Sequence, residues 1–398
     1  MAGNVYGLRL LRRPAVRDAS LTVIAVVLLA TRLIQLLDVG RERLAFDFKW
    51  YWTAAGAVVN GGSIYSAQQL SGSYAPQGQE GFLYPPPLAA LVTPFYLFSP
   101  TDPIPAWMIW ALLAALIAAA SLLALARDGR LSERFATLRG RRVVLLLVAA
   151  FALPEVIDEL INGNVHLYLL GLFTIAWLGV RRASRAGDAA AGLAIGVATV
   201  IKIFPGLVVF WFLVTRRWAA LGWTVVGAVA LSLVTLPFTG IQPWLDFPTV
   251  LANMAAPLDP SASFSPTMWL APLLGFTVAR VLVTLAGVAV VAWSAARQDP
   301  RTSFAVAVLA SVLITPALWS HYLSLIVMPL VMALASGVSL VLLALDYLFL
   351  SAEAQSALGG YAWILSRAVP TVGELLLLVA LLRVPAVAAR MRAVPEPA

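Results

Sequence analysis

Long apolar stretches, separated by short polar breaks, follow one another along this chain from about residue 19 to residue 382. A transmembrane helix needs about 20 mostly apolar residues, and several of these stretches approach or exceed that length. The breaks alternate between one kind that is rich in Arg and another that is nearly free of Arg and Lys. Because basic loops stay on the cytoplasmic side of a bilayer, the alternation predicts a polytopic, all-α membrane protein.

The charge of each break orders the predicted helices. We expect the Arg-rich breaks to be cytoplasmic; they lie at 127–142, 181–185, 216–217 and 297–301 and in the tail, 383–398. The breaks poor in Arg and Lys should face outward; they lie at 154–164, 239–265, 317–321 and 351–360. This predicts about 12 transmembrane helices with both termini inside. They run over 19–37, 105–126, 143–153, 165–180, 188–201, 203–214, 219–238, 277–296, 303–316, 322–335, 338–350 and 361–382.

The chain is therefore expected to form one transmembrane domain over 1–398, with 38–104 as its first outer loop. One apolar segment of that loop, 84–98, does not fit the alternation, since counting it as a span would place the Arg-rich break 127–142 outside. It begins with three prolines and contains Pro94. We expect it to dip into the bilayer and return, or to lie in the interface. The alternative is an ordinary span followed by an atypical loop.

The first outer loop also contains a helical pattern over 46–65, where aromatic and apolar residues recur at helical spacing until Gly61 and Gly62 end it. We interpret this as an amphipathic helix lying in the outer interface. Asp47 stands at its start. There it either caps the helix or is a catalytic carboxylate, since an acid beside the membrane is costly unless it is paired or used.

Composition narrows the function classes. The chain is 61% hydrophobic and only 12% charged, which leaves no room for a large soluble domain. It has no Cys, which excludes disulfides, thiolate metal sites and cysteine nucleophiles. The net charge of +8 is explained by Arg in the cytoplasmic breaks, so we expect membrane lipids as partners and no nucleic acid.

Other candidate site residues lie at the predicted outer ends of helices. Lys202 lies in the turn between two spans and is either a snorkelling Lys or a binding residue. His321 is either a packing residue or a binding residue, and Arg280, early in its helix, either snorkels or is a binding residue. The topology brings Lys202 and His321 to the same face as Asp47.

Further polar candidates at this face are Lys49, Tyr84, Asn162, Asn164 and His166. Each asparagine either caps the next helix or is a binding residue. The acids of the neighbouring outer break, Glu155, Asp158 and Glu159, are expected to form a solvated turn, with an acceptor-binding edge as the alternative.

Five segments of the chain resemble, in order, the blocks of glycosyltransferase family 87. The first is DFKWYWTAAGAVVNGGSIY (47–65) followed by FLYPPPLAALVTPF (82–95), and the second is INGNVHLYLLGLFTIAW (161–177), with Asn164 where Gln is usual. The others are the hairpin AGLAIGVATVIKIFPGLVVFWFLVTRRW (191–218), SFSPTMWLAPLLG (263–275) and TPALWSHYLSLIVMP (315–329). The resemblance covers most of residues 20–335.

The resemblance implies a GT-C fold and an enzyme that takes a sugar, most often mannose, from a polyprenyl-phosphate donor. The family's acid maps onto Asp47, which would act as base in a direct, inverting transfer to a lipid or glycan hydroxyl on the extracytoplasmic face. For such a donor, the candidates for binding the phosphate are Lys202, His321 and Arg280, and those for binding the acceptor or the sugar are Lys49, Tyr84, Asn162, Asn164 and His166. The chain has no Asp-x-Asp motif, so we expect no bridging metal and no other cofactor. The alternatives are an arabinofuranosyltransferase of the same fold, a lipid or solute transporter or flippase, and a scaffold for an envelope complex.

Overall fold

The computed structural model describes residues 44–74, 81–128, 141–253, 263–350 and 362–384, together with isolated positions between 23 and 34. The predicted first helix, 19–37, lies outside the described residues except for those positions, as does most of the predicted tail. Within the described ranges the secondary structure is entirely helical.

Seventeen α-helices and one 3₁₀ helix make up this part of the chain. The α-helices are α1 Phe46–Asn60, α2 Ala67–Ser71, α3 Pro86–Phe98, α4 Pro103–Ala126, α5 Arg141–Phe151, α6 Pro154–Asn162, α7 His166–Arg181, α8 Arg185–Ile201, α9 Gly206–Val214, α10 Trp218–Thr239, α11 Gln242–Asn253, α12 Pro266–Leu274, α13 Phe276–Arg297, α14 Pro300–Leu313, α15 Val327–Ser336, α16 Leu340–Leu350 and α17 Ala362–Leu382. The 3₁₀ helix, Ser320–Ile326, leads into α15.

Three of these helices, α4, α10 and α13, are long and apolar enough to cross a membrane. A fourth candidate is the pair α6 and α7, which is bent by 115° at a short break. The described part of the chain is therefore all-helical, and its apolar helices are those of a membrane protein. A helix lies at every predicted span from 105–126 onward, while the number of crossings stays a prediction.

The first outer loop is more ordered than a connector. Helix α1 lies where the interfacial helix was predicted, and it ends at Gly61, whose left-handed backbone (φ 72°) lets its N–H bond to the carbonyl of Ala57. Helix α3, 13 residues long, spans only about 20 Å. That length is short of the roughly 30 Å hydrocarbon core, which suits a segment that does not cross, although its place relative to the bilayer stays a prediction.

Close packing of small residues fixes the helix that carries Lys202. A Cβ on Gly192 would lie 2.2 Å from the carbonyl oxygen of Ala220, and one on Gly196 would lie 2.2 Å from that of Thr224. Helix α8 therefore meets α10 backbone to backbone, as small residues allow in membrane helices. This contact holds the end of α8, and the turn that follows it, in a defined place.

Candidate active site

A cluster of polar and charged side chains lies where the start of α1, the α6–α7 break, the turn after α8 and the 3₁₀ helix meet. We call it the polar cluster. Its members, drawn from five separate parts of the chain, are Asp47, Tyr84, Glu159, Asn164, His166, Lys202 and His321. Six of these seven were candidate site residues from the sequence.

The break between α6 and α7 builds the centre of the polar cluster. Gly163 ends α6 in a left-handed conformation (φ 68°), with its N–H bonded to the carbonyl of Glu159. The chain then turns so that the first amides of α7 face the Glu159 carboxylate, which accepts from the backbone N–H of His166 at 2.6 Å and of Leu167 at 3.3 Å. A buried carboxylate thus caps α7, where the helix dipole favours negative charge.

Asn164 joins the acid of α1 to the rest of the polar cluster. Its Oδ1 accepts from the backbone N–H of Val165 at 2.7 Å and from the Tyr84 hydroxyl at 3.1 Å. These donors fix the orientation of the amide, so Nδ2 donates to Asp47 Oδ2 at 2.8 Å and lies 3.2 Å from His321 Nε2. One side chain therefore sets the position of the acid and of the histidine.

Lys202 is buried in the polar cluster and does not snorkel. Its Nζ donates to the Tyr84 hydroxyl at 3.2 Å, lies 2.8 Å from His166 Nε2 and sits 3.7 Å from the centre of the Tyr322 ring. Tyr84 and Asn164 connect the ammonium to Asp47 through neutral groups. The charge is held near the acid without a direct ion pair.

His321 lies between two acids. Its Nε2 is 3.7 Å from Asp47 Oδ2, and its Nδ1 is 3.9 Å from Asp158 Oδ2. Asp158 in turn accepts from the hydroxyl of Ser320, next to His321 in the 3₁₀ helix. Nδ1 is thus directed toward Asp158, whereas Nε2 lies nearest the amide N–H of Asn164, at 3.2 Å. Burial and the charge of Lys202 lower the pKa of the His321 imidazole.

Asp47 combines burial with access. Its side chain is 19% exposed, which leaves an oxygen open to a reacting group. Burial raises the pKa of the Asp47 carboxyl to about 6, although the hydrogen bond from Asn164 and the charge of Lys202 lower it. A carboxylate with a pKa near the working pH is suited to general base catalysis.

Two interpretations from the sequence are wrong. Asp47 does not occupy the N-cap of α1, which is Ala45; Asp47 lies in the first turn and bonds to Asn164 instead. The acidic outer break is not a solvated turn, because it forms helix α6 with Glu155 5% and Glu159 1% exposed. The bend after α6 turns both acids inward.

Other candidates lie apart from the polar cluster. Arg280 is exposed on α13. Asn162 Nδ2 bonds within its own helix, to the carbonyl and the carboxylate of Asp158, at 2.9 Å each, so it does not cap α7. Lys49 is half-buried in the first turn of α1, and its backbone N–H donates to the carbonyl of Ala45. Their sugar- or phosphate-binding roles stay predictions.

The sequence interpretation considered Glu159 as part of a solvated turn or of an acceptor-binding edge, and not as the buried partner of His166. An acid seven residues before His166, with Gly163 between them, reads as part of a polar turn unless the bend is known. The signal that was present is the Gly163–Asn164 pair directly before an apolar helix, since Gly there marks the end of one helix and a change of direction.

The geometry defines a membrane protein with an acid, a cation and two histidines gathered at one place, and comparison with known proteins gives its class. The model of glycosyltransferase family 87 matches residues 82–316, more than half of the chain, and the chain belongs to that family. Tyr84, Asn164, His166 and Lys202 lie inside the matched region. Asp47 and His321 lie outside it, so their interpretation rests on the contacts described above.

The chain is also similar to the alpha-(1->3)-arabinofuranosyltransferases of Mycobacterium tuberculosis strains CDC 1551 and H37Rv. Each is 34% identical over 159 residues, which is 39% of this chain and 34% of the relative. The matched part thus spans about a third of the length of these relatives. No solved structure matches the chain.

Proposed function

We propose that this glycosyltransferase moves a single sugar from a polyprenyl-phosphate donor to a lipid or glycan hydroxyl, with Asp47 as general base. The observation that carries the proposal is the partly exposed Asp47 carboxylate, joined through Asn164 to His321 and, through Asn164 and Tyr84, to Lys202. A base and a phosphate-binding cation are what such a transfer needs.

In the proposed reaction, the acceptor hydroxyl attacks the anomeric carbon and its proton passes to Asp47. The bond from that carbon to the phosphate oxygen breaks, and its electron pair leaves with the polyprenyl phosphate. Lys202 and His321 stabilise the negative charge that develops there. Attack from the face opposite the phosphate inverts the anomeric centre, and a single carboxylate base suffices for that.

Two donors are candidates. Mannose is the sugar that the resemblance of the sequence blocks implies. Arabinofuranose is favoured by a separate observation, the similarity to proteins named alpha-(1->3)-arabinofuranosyltransferases. We propose mannose first. Purified protein incubated with labelled polyprenyl-phosphate mannose, or with the arabinofuranose counterpart, and a lipid extract should give a labelled product with one of them.

The outcome of that assay separates the classes of function. Transfer of label from either donor supports the glycosyltransferase proposal and names the sugar. Movement of the intact labelled donor across a vesicle membrane, without a new product, would instead identify a transporter or flippase. If neither donor is used for transfer and neither is moved across the membrane, that result would contradict the proposed donor class.

We further propose that the polar cluster faces the extracytoplasmic side, because the breaks beside it are poor in Arg and Lys. The chain has no Cys, so a thiol reagent can label only the single cysteine that is introduced. Ser71→Cys, exposed on α2, should react with an impermeant maleimide added to intact cells. Arg182→Cys, exposed after α7, should react only after lysis. The opposite labelling pattern would contradict this orientation.

A further inference from the structure

The pair formed by Glu159 and His166 has no part in the transfer as described. Both side chains are buried, 1% and 0% exposed, so neither offers a surface to substrate. They nevertheless contact each other closely, with Glu159 Oε2 2.9 Å from His166 Nδ1. On its other side the His166 ring lies against Lys202, with Nε2 2.8 Å from Nζ.

With Lys202 charged and Glu159 ionised, the contacts fix where the proton of His166 resides. A lysine ammonium has donors and no acceptor, so Nε2 must accept from Lys202. The ring proton is then on Nδ1, where Glu159 Oε2 accepts it. The other oxygen of Glu159 is occupied by the two backbone amides at the start of α7. Every polar atom from Lys202 Nζ to the Glu159 carboxylate is therefore assigned as a hydrogen-bond donor or an acceptor without conflict.

We propose that Glu159 and His166 are positioning residues that hold Lys202 in place and keep it charged for the donor phosphate. The inference rests on the proposed function for its phosphate ligand. The pair acts through Lys202 and touches no substrate. The Tyr84 hydroxyl accepts a second hydrogen bond from the ammonium, so two polar contacts set the orientation of Lys202.

The charge of Lys202 needs this support. Burial lowers the pKa of the Lys202 amine to about 7, and the carboxylates of Glu159 and Asp47 oppose that effect by raising it. Without Glu159, therefore, the amine loses the first of these two stabilising charges. It would be mostly neutral at pH 7 and would bind an anion poorly.

Glu159→Gln tests the arrangement because Gln has one oxygen where Glu has two. If that oxygen accepts the backbone amides, the Gln amide group donates to Nδ1. The ring proton then moves to Nε2, where it opposes the Lys202 donor. If the oxygen accepts from Nδ1 instead, the two amides of α7 face another donor. Either orientation disturbs the contact with Lys202 or the cap of α7.

The chain contains two lysines, Lys49 and Lys202, so Lys202 can be titrated directly. In protein labelled with ¹³C-lysine, the signal that remains in a Lys49→Arg variant belongs to Lys202. We expect its pKa to fall in Glu159→Gln relative to wild type and to stay unchanged in Asp188→Asn. That control removes a carboxylate of α8 paired with Arg217. An unchanged Lys202 titration in Glu159→Gln would overturn the inference.

Kinetics give a second readout. We expect Glu159→Gln to raise KM for the donor about tenfold or more, as expected for a lost charged hydrogen bond, with a smaller change in kcat. His166→Gln, which can donate to Glu159 and accept from Lys202, should retain more donor affinity than His166→Leu. An equal KM for the donor in these two variants would contradict the proposal that His166 and Glu159 position Lys202.

The two proposals fail in distinguishable ways. A wild-type protein that transfers no sugar would overturn the proposed function, while the titration of Lys202 would still report on Glu159. If Glu159→Gln does not fold, the comparison of His166→Gln with His166→Leu decides the same question. A lowered thermal stability with unchanged Lys202 titration and donor KM would reduce Glu159 to a helix cap and overturn the inference.

Discussion

The two ends of α7 both hold buried charge, and they hold it differently. At the first residue, His166 stands between the Lys202 ammonium and the Glu159 carboxylate. At the far end, Asp128 pairs directly with Arg181 and Arg301. It also accepts from the Trp177 indole at 2.8 Å.

The difference separates a reactive arrangement from a structural one. At the far end, opposite charges are in direct contact, so the cluster ties together the end of α4, the end of α7 and the start of α14. In the polar cluster, neutral groups keep the cation and the acids apart, and Asp47 stays partly exposed. Charge held apart in this way remains available to a substrate.

The largest effect should come from Asp47→Asn. The substitution keeps the size of the side chain and an oxygen that accepts from Asn164, so the fold should be unchanged. It removes the base, which is typically worth about 10²–10⁴-fold in rate. We expect a loss of kcat in that range, with donor binding retained, measured by transfer of labelled sugar and by thermal stability. Near-normal turnover in a folded variant would return Asp47 to a structural role.

Asp128→Asn should lower the stability of the fold and leave turnover unchanged. It leaves Arg181 and Arg301 near each other without their shared anion. Breaking a buried pair costs about 3–5 kcal/mol, and we expect the low end because Arg181 is 41% exposed. The melting temperature in detergent should fall while kcat per folded molecule stays the same. A large fall in kcat without lost stability would erase the contrast between the two ends of α7.

Gly163→Ala should have a smaller effect, and it should reduce both turnover and stability. A Cβ there would lie 2.7 Å from the Trp107 ring and 2.8 Å from the Cβ of Phe48, on a backbone with φ 68°. The left-handed conformation costs about 1–2 kcal/mol, and the crowding moves α1 relative to Asn164. We expect reduced kcat and stability, compared with Gly222→Ala, where no atom lies within 4 Å. Equal behaviour of the two variants would contradict the account of how the bend positions Asp47.

Much of the fold was predictable, because apolar stretches and Arg-rich breaks report directly on burial in a bilayer. The exact helix boundaries were less predictable. Helix α9 begins at Gly206 rather than 203, since Pro205 restricts the backbone before it. Helix α14 begins at Pro300 rather than 303, because the Asp299 side chain caps its first amides.

The site was predictable where a residue's role follows from its place along the chain. Lys202 and His321 were brought to Asp47 by the order of the predicted helices, and the structure places all three in the polar cluster. The burial of Glu159 was not predictable, because it depends on the 115° angle of the bend, and the Gly163–Asn164 pair indicates a change of direction but not its angle. Arg280 shows the converse, since a charge on the predicted outer half of a helix says nothing about which side of the bundle it faces.

The pH dependence of kcat tests most directly whether Asp47 is the base. Its raised pKa, about 6, means that the carboxyl is protonated below that pH and can no longer accept the acceptor's proton. We predict that kcat, at saturating donor and acceptor, falls about tenfold per pH unit below about 6. Lys202→Met should move this fall to higher pH, because the lysine charge lowers the pKa of Asp47. A kcat independent of pH down to 5 in a protein that remains folded would contradict the assignment of Asp47 as base.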